Sequence, residues 1–147
     1  MNRATVTEQI VETKIQKGMK WADVADELDA SKEWVTTACL GQMTLSADQA
    51  QKIADIFDLP RAAVAILQTP PTRGLSEPAM ASDPLIHRLR EIVTVYGPTI
   101  KELIHEEFGD GIMSAIDFRL TLNRREDPRG DRVELVLSGK YLPYPGA

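Results

Sequence analysis

One cysteine in 147 residues, Cys39, leaves no partner for an intrachain disulfide. Two histidines beside it are too few for a multi-Cys/His zinc site within one chain. Nowhere do the roughly 18 consecutive apolar residues of a membrane-spanning helix occur. The start, Met1-Asn2-Arg3-Ala4-Thr5, lacks the apolar run of a signal peptide, so a cytoplasmic protein without a membrane partner is expected. An excess of positive charge is missing too. The 17 basic and 22 acidic residues give a net charge of -5, spread as -3 over residues 1–68 and -2 over 69–147. Neither half is a basic body that neutralises many phosphates, and nucleic acid is not an expected partner.

What is present is the composition of an ordinary globular protein, 43% hydrophobic and 27% charged, of a length for one compact domain or two small ones. Residues 1–68 read as five short helices, because apolar residues recur at spacings of three and four. Val11, Ile15 and Met19 step by four. Trp21, Val24, Ala25 and Leu28 follow, then Trp34, Val35, Ala38 and Cys39, then Ala50, Ile53, Ala54 and Phe57 behind the capping-box pattern Ser46-x-x-Gln49. Residues 69–83 carry Thr69-Pro70-Pro71 and Glu77-Pro78, cannot continue a helix and read as a linker.

Residues 84–147 form the second region. Asp83-Pro84 is a strong helix start, and that helix is expected to stop near Tyr96 at Gly97-Pro98, with another taking Ile100, Leu103, Ile104 and Phe108. From Ile112 the period becomes two, through Ser114, Ile116, Phe118, Leu120 and Leu122; Glu126-Asp127-Pro128-Arg129-Gly130 then turns the chain into Val133, Leu135 and Leu137. The fold class is α+β: a five-helix N-terminal bundle, then helix and antiparallel β-hairpin. About 60 residues make a poor independent core, so this region is expected to self-associate.

Three constellations bear on function. Residues 21–40 resemble a repressor-type helix-turn-helix, which supports a small DNA-binding or ligand-sensing regulator as an alternative function. Its recognition helix offers Ser31, Lys32, Glu33, Trp34, Val35, Thr36 and Thr37, a poor base reader, and Asp29 stands where such turns usually place glycine. Glu102-x-x-His105 puts a carboxylate and an imidazole on one helix face, but a di-iron bundle needs two such elements and this chain has one, so no metal site is expected.

The third constellation is the run Glu106-Glu107-Phe108-Gly109-Asp110-Gly111-Ile112-Met113-Ser114-Ala115-Ile116-Asp117-Phe118, with Tyr96-Gly97 and Gly139-Lys140-Tyr141-Leu142-Pro143. It resembles the signature of cyanases (cyanate hydratases, or cyanate lyases), and the resemblance extends upstream through Leu40-Gly41-Gln42 and Leu67-Gln68. It implies catalytic arginine, glutamate and serine residues, whose counterparts by local context are Arg88, Glu91 and Ser114, with Arg88 and Ser114 also binding substrate. Leu75, His87 and Arg90 depart from residues seen in relatives. The resemblance further implies that bicarbonate attacks cyanate, that a dicarboxylated nitrogen intermediate loses CO2 to leave carbamate, and that carbamate yields ammonia and a second CO2. No metal or organic cofactor is implied, bicarbonate being a co-substrate. A homodecamer of five dimers, with sites where subunits meet, is implied as well.

Taken without the resemblance, the same residues have plainer readings. Arg88 and Glu91, at i and i+3, are neighbours on one helix surface and fit an exposed ion pair. Ser114 fits a strand-start serine satisfied by the preceding turn. The physical case for a site is that two anions must be brought together, which calls for a fixed positive fork and for hydroxyl or amide donors.

Overall fold

The computed structural model describes residues 1–74 and 82–146. The chain divides into two compact units, Met1–Gly74 and Leu75–Ala147.

The first unit holds α1 (Arg3–Gln16), α2 (Trp21–Leu28), α3 (Lys32–Cys39), α4 (Ala47–Ile56) and α5 (Ala62–Leu67). Side-chain oxygens start three of them by accepting orphan amides: Asn2 from Thr5, Ser31 from Trp34, and Ser46 from Gln49 in a reciprocal box. Asp29 ends α2 in the left-handed region, at φ 50 and ψ 49, doing without glycine the turn that leads into α3. The expected faces of α2, α3 and α4 meet in one core built on Val24, Val35, Ile53, Phe57 and Leu67. Each such side chain, fully buried, contributes about 2 kcal/mol relative to exposure.

The expectation for α1 is corrected. Its buried residues are Val6 and Ile10, whereas Ile15 is 71% exposed. Two series at spacing four run along this helix, about 100 degrees apart. Gly18, at φ 62, lies just past the helix end and before Met19, so the later series never completes a face. Arg3, at the helix start, reaches carbonyls at the ends of two other helices, donating to Ile66 and Leu67 at 3.0 and 2.9 Å and to Ala38 at 3.3 Å, with Met43 as a fourth acceptor. A cation on helix C-terminal carbonyls is favoured by the helix dipole. Burial lowers the Arg3 pKa, with the neighbouring Cys39 thiol acting the other way.

The second unit holds one long helix, α6 (Pro84–Phe108), and two antiparallel strands, β1 (Gly111–Arg125) and β2 (Arg132–Pro143). Asp83 caps α6 as expected, its carboxylate accepting from Leu85 and Ile86 at 2.8 and 2.9 Å, with Pro84 in the first turn. The expected break at Gly97-Pro98 does not occur, and the helix runs through Pro98. Proline disfavours a helical predecessor partly through that residue's Cβ, and Gly97 has none. The carbonyl of Thr94, deprived of its usual amide, lies on an exposed stretch where water can reach it.

The hairpin forms across Glu126 to Asp131, with the Gly130 amide donating to the Asp127 carbonyl at 2.9 Å. Its register is not the unbroken alternation expected. Gly111, Ile112 and Met113 pair with Pro143, Leu142 and Tyr141, while Phe118 pairs with Gly139, so the four residues Ser114 to Asp117 face Lys140 alone. An odd excess of residues switches faces. Phe118, Leu120 and Leu122 therefore share a face with Leu137, Leu135 and Val133, and Ile112 lies on the other. That apolar face is exposed in the single chain, and α6 has no buried residue at all. Among the described residues no helix is long and apolar enough to cross a membrane.

Candidate active site

Arg88 and Glu91 stand one turn apart near the start of α6, and the helix joins them: an Arg88 terminal guanidinium nitrogen lies 3.2 Å from a Glu91 carboxylate oxygen. Their side chains are 68% and 55% exposed in the isolated chain. In water such a pair is worth well under 1 kcal/mol, so here it holds geometry rather than stability. On the same helix Leu85, Leu89, Ile92, Val93 and Tyr96 are all exposed, making an open apolar stripe. The charged fork thus sits beside a surface that invites another surface.

Ser114 differs in every respect. It is 6% exposed, the one buried polar residue recorded among those described. Its Oγ accepts from the amides of Ile116 and Asp117 at 3.0 and 2.9 Å. A serine whose hydroxyl bonds amides two and three residues on offers the backbone an alternative to the ladder, which is why the strand bulges there. The plainer reading, a serine satisfied by the preceding turn, does not describe it: the partners follow it in sequence. A hydroxyl has two acceptor positions and one donor, so Ser114 retains its proton as the free function. Beside it the bulge turns Ile116 outward to 95% exposure. Within one chain no hydrogen bond or ion pair among the described residues links Ser114 to Arg88 or Glu91.

Other signals resolve plainly. A hollow of about 420 Å³ between α6 and the start of β1 is lined by Lys101, His105 and Met113 among others, but by none of Arg88, Glu91 or Ser114. His105 faces Lys101, with Nδ1 3.3 Å from Nζ, rather than joining Glu102 in a ligand set. No group of three or more His, Cys, Asp or Glu side chains suited to a metal occurs among the described residues. His87 and Arg90 are exposed neighbours of Arg88 on α6, while Leu75 lies outside the described residues. On the expected recognition helix, the Thr36 and Thr37 hydroxyls donate back to the Lys32 and Glu33 carbonyls at 2.6 and 2.7 Å, and Lys32 pairs with Glu33. Its polar groups are turned on the helix itself, which deepens its weakness as a base reader.

Sequence reasoning named Ser114 but missed the loop that holds it. The missed signal is the glycine opposite, Gly139, since an interior strand glycine often marks a bulge or a close backbone approach.

Comparison with known proteins covers both units. Residues 3–71 match the family model described as cyanate hydratase, N-terminal, and residues 78–146 match the cyanate lyase C-terminal domain. The chain is 60% identical to the cyanate hydratase of Methylobacillus flagellatus and 57% identical to that of Polynucleobacter asymbioticus, in each case over 98% of both chains. The crystal structure of cyanase from T. urticae superposes with a TM-score of 0.83 at 35% identity, covering 95% of this chain and 97% of that one. Two matched halves, relatives aligned end to end and a shared architecture do not favour the regulator reading: the chain belongs to the cyanate hydratase family of carbon–nitrogen lyases.

Proposed function

We infer that the chain decomposes cyanate with bicarbonate, giving ammonia and two CO2 through carbamate. The observation that carries this reading is the end-to-end similarity to cyanate hydratases. The arrangement around Arg88, Glu91 and Ser114 supports it chemically.

Cyanate and bicarbonate are both anions, so bringing them together is opposed by their charge. Arg88 supplies the cation, and its planar fork suits the paired oxygens of a carboxylate-like adduct. Glu91, 3.2 Å away, orients that fork or relays a proton. Ser114, with its lone pairs engaged by two amides, donates its proton to an anionic oxygen and is a poor nucleophile. A bicarbonate oxygen bonds to the cyanate carbon, the bicarbonate proton passes to nitrogen, and shift of the carboxyl group from oxygen to that nitrogen gives the dianionic, dicarboxylated adduct. Protonation at nitrogen and loss of CO2 leave carbamate, and one further proton releases ammonia with the second CO2. Bicarbonate plus cyanate plus two protons balances one ammonia and two CO2.

Such electrostatic work is strongest away from water, yet Arg88 and Glu91 are open to solvent in one chain. The uncovered apolar surfaces of α6 and the hairpin support self-association as the remedy. In this reading subunits meet over the site, in a decamer of five dimers, and charge is handled without a metal or organic cofactor. With one cysteine and two histidines the chain offers few soft ligands for a metal. The test is ammonia release from cyanate by metal-free protein. Release that requires added bicarbonate and survives chelators is expected; release that ignores bicarbonate, or that chelation abolishes and zinc restores, overturns the reading.

A further inference from the structure

The motif Gly139-Lys140-Tyr141-Leu142-Pro143 carries none of the groups assigned above, yet its glycine faces the bulge that presents Ser114. Gly139 pairs with Phe118 at the point where β1 resumes its ladder. Its φ is not positive, so glycine is not required there for backbone conformation. Space is what requires it. A Cβ at 139 would overlap the Ser114 carbonyl oxygen and lie 2.5 Å from Met113 Cγ, against the 3.0 Å that real Cβ atoms respect. The first obstacle is backbone and cannot rotate away.

We propose that Gly139 is the positioning residue of Ser114. Its missing side chain lets the Ser114 carbonyl settle against β2, so that the four bulge residues close over Lys140. In that geometry the Ser114 Oγ receives the amides of Ile116 and Asp117, and its proton is left for an anion. With a side chain at 139 the carbonyl is pushed off the strand, the two amide bonds lengthen and the hydroxyl loses its aim. The proposal deepens the site reading and rests on Ser114 donating a hydrogen bond to an anion.

The test is a double-mutant cycle in the full-length protein, with assembly followed by light scattering. Gly139→Ala is expected to lower kcat/KM at least tenfold with the assembly intact. In a Ser114→Ala background the same change is expected to cost less than threefold, because the group it misplaces is gone. A glycine with a merely structural part gives losses that multiply instead, and that result overturns the proposal. Should Gly139→Ala fail to assemble, Met113→Ala/Gly139→Ala removes the side-chain overlap and keeps the carbonyl one. It is expected to assemble and remain impaired; recovery of activity with assembly, or failure of both variants to assemble, overturns the proposal. The two readings fail differently. Near-normal turnover in Ser114→Ala sinks the serine assignment and Gly139's part with it, whereas an impaired Ser114→Ala beside an active Gly139→Ala sinks Gly139 alone.

Discussion

The two halves of this chain have similar lengths and opposite economies of apolar surface. In Met1–Gly74 the helices close on a core in which Phe57, Ile10, Ile53 and Leu67 are fully buried. In the second unit no residue of α6 is buried, and the hairpin's Phe118, Leu120, Leu122, Leu135 and Leu137 lie open. Patterning is good in both, so the difference is not one of sequence quality. The first unit folds its stripes against each other; the second leaves its stripes open in the single chain, which is what the proposed assembly would cover. The residues placed at the proposed site all lie in the second, where neighbours can enclose them.

Breaking this contrast at the site has the largest expected effect. Arg88→Lys keeps the charge and loses the fork, and Ser114→Ala removes one donor; each is expected to lower turnover about a hundredfold or more while light scattering shows the assembly unchanged. Near-normal rates in an intact assembly would return Arg88–Glu91 to the status of a surface pair.

A smaller effect, confined to stability, is expected in the first unit. Arg3→Ala strips four carbonyls of their shared donor and should cost about 2 kcal/mol in urea unfolding, with turnover per assembled chain near wild type. A drop in turnover as large as that of Ser114→Ala would mean that the first unit is not separate from the chemistry.

Smallest near neutral pH, and growing only under alkaline conditions, is the effect of Cys39. Burial pushes its thiol up to about 12, with Arg3 pulling the other way. The folded chain then keeps the proton while the unfolded chain loses it above an ordinary thiol value of 9.0. The resulting stability is present below that pH and is lost progressively toward 12. Cys39→Ala should flatten this alkaline decline in unfolding midpoint, and the wild-type thiol should resist alkylation at pH 8 until the chain unfolds.

Local signals were legible where a side chain and its backbone partner sit within one turn. The Ser46 box, the Asp83-Pro84 start and the turn at Gly130 all follow from neighbours in sequence. Legibility failed where two residues act against each other or across the hairpin. Gly97 offsets the steric effect of Pro98, so a pair that reads as punctuation is passed through. The alternation from Ile112 to Leu122 is interrupted by Ser114's own amide bonds, with room left by Gly139 on the other strand. Arg88, Glu91 and Ser114 were legible as residue types in a family pattern. The structure of one chain links Arg88 to Glu91 and leaves Ser114 with backbone partners alone, so the proposed meeting of all three has no local signature in the sequence.

That proposed meeting supplies the most direct test of the claim that subunits build the site together. Arg88→Lys and Ser114→Ala chains, each inactive alone, are unfolded together and refolded as a mixture, and ammonia release from cyanate with bicarbonate is measured. If different chains supply Arg88 and Ser114 to one site, some mixed sites carry both native residues, and a substantial fraction of wild-type activity returns. Full assembly of the mixture with no activity above that of its components would contradict the account, because it would place both residues of each site on the same chain.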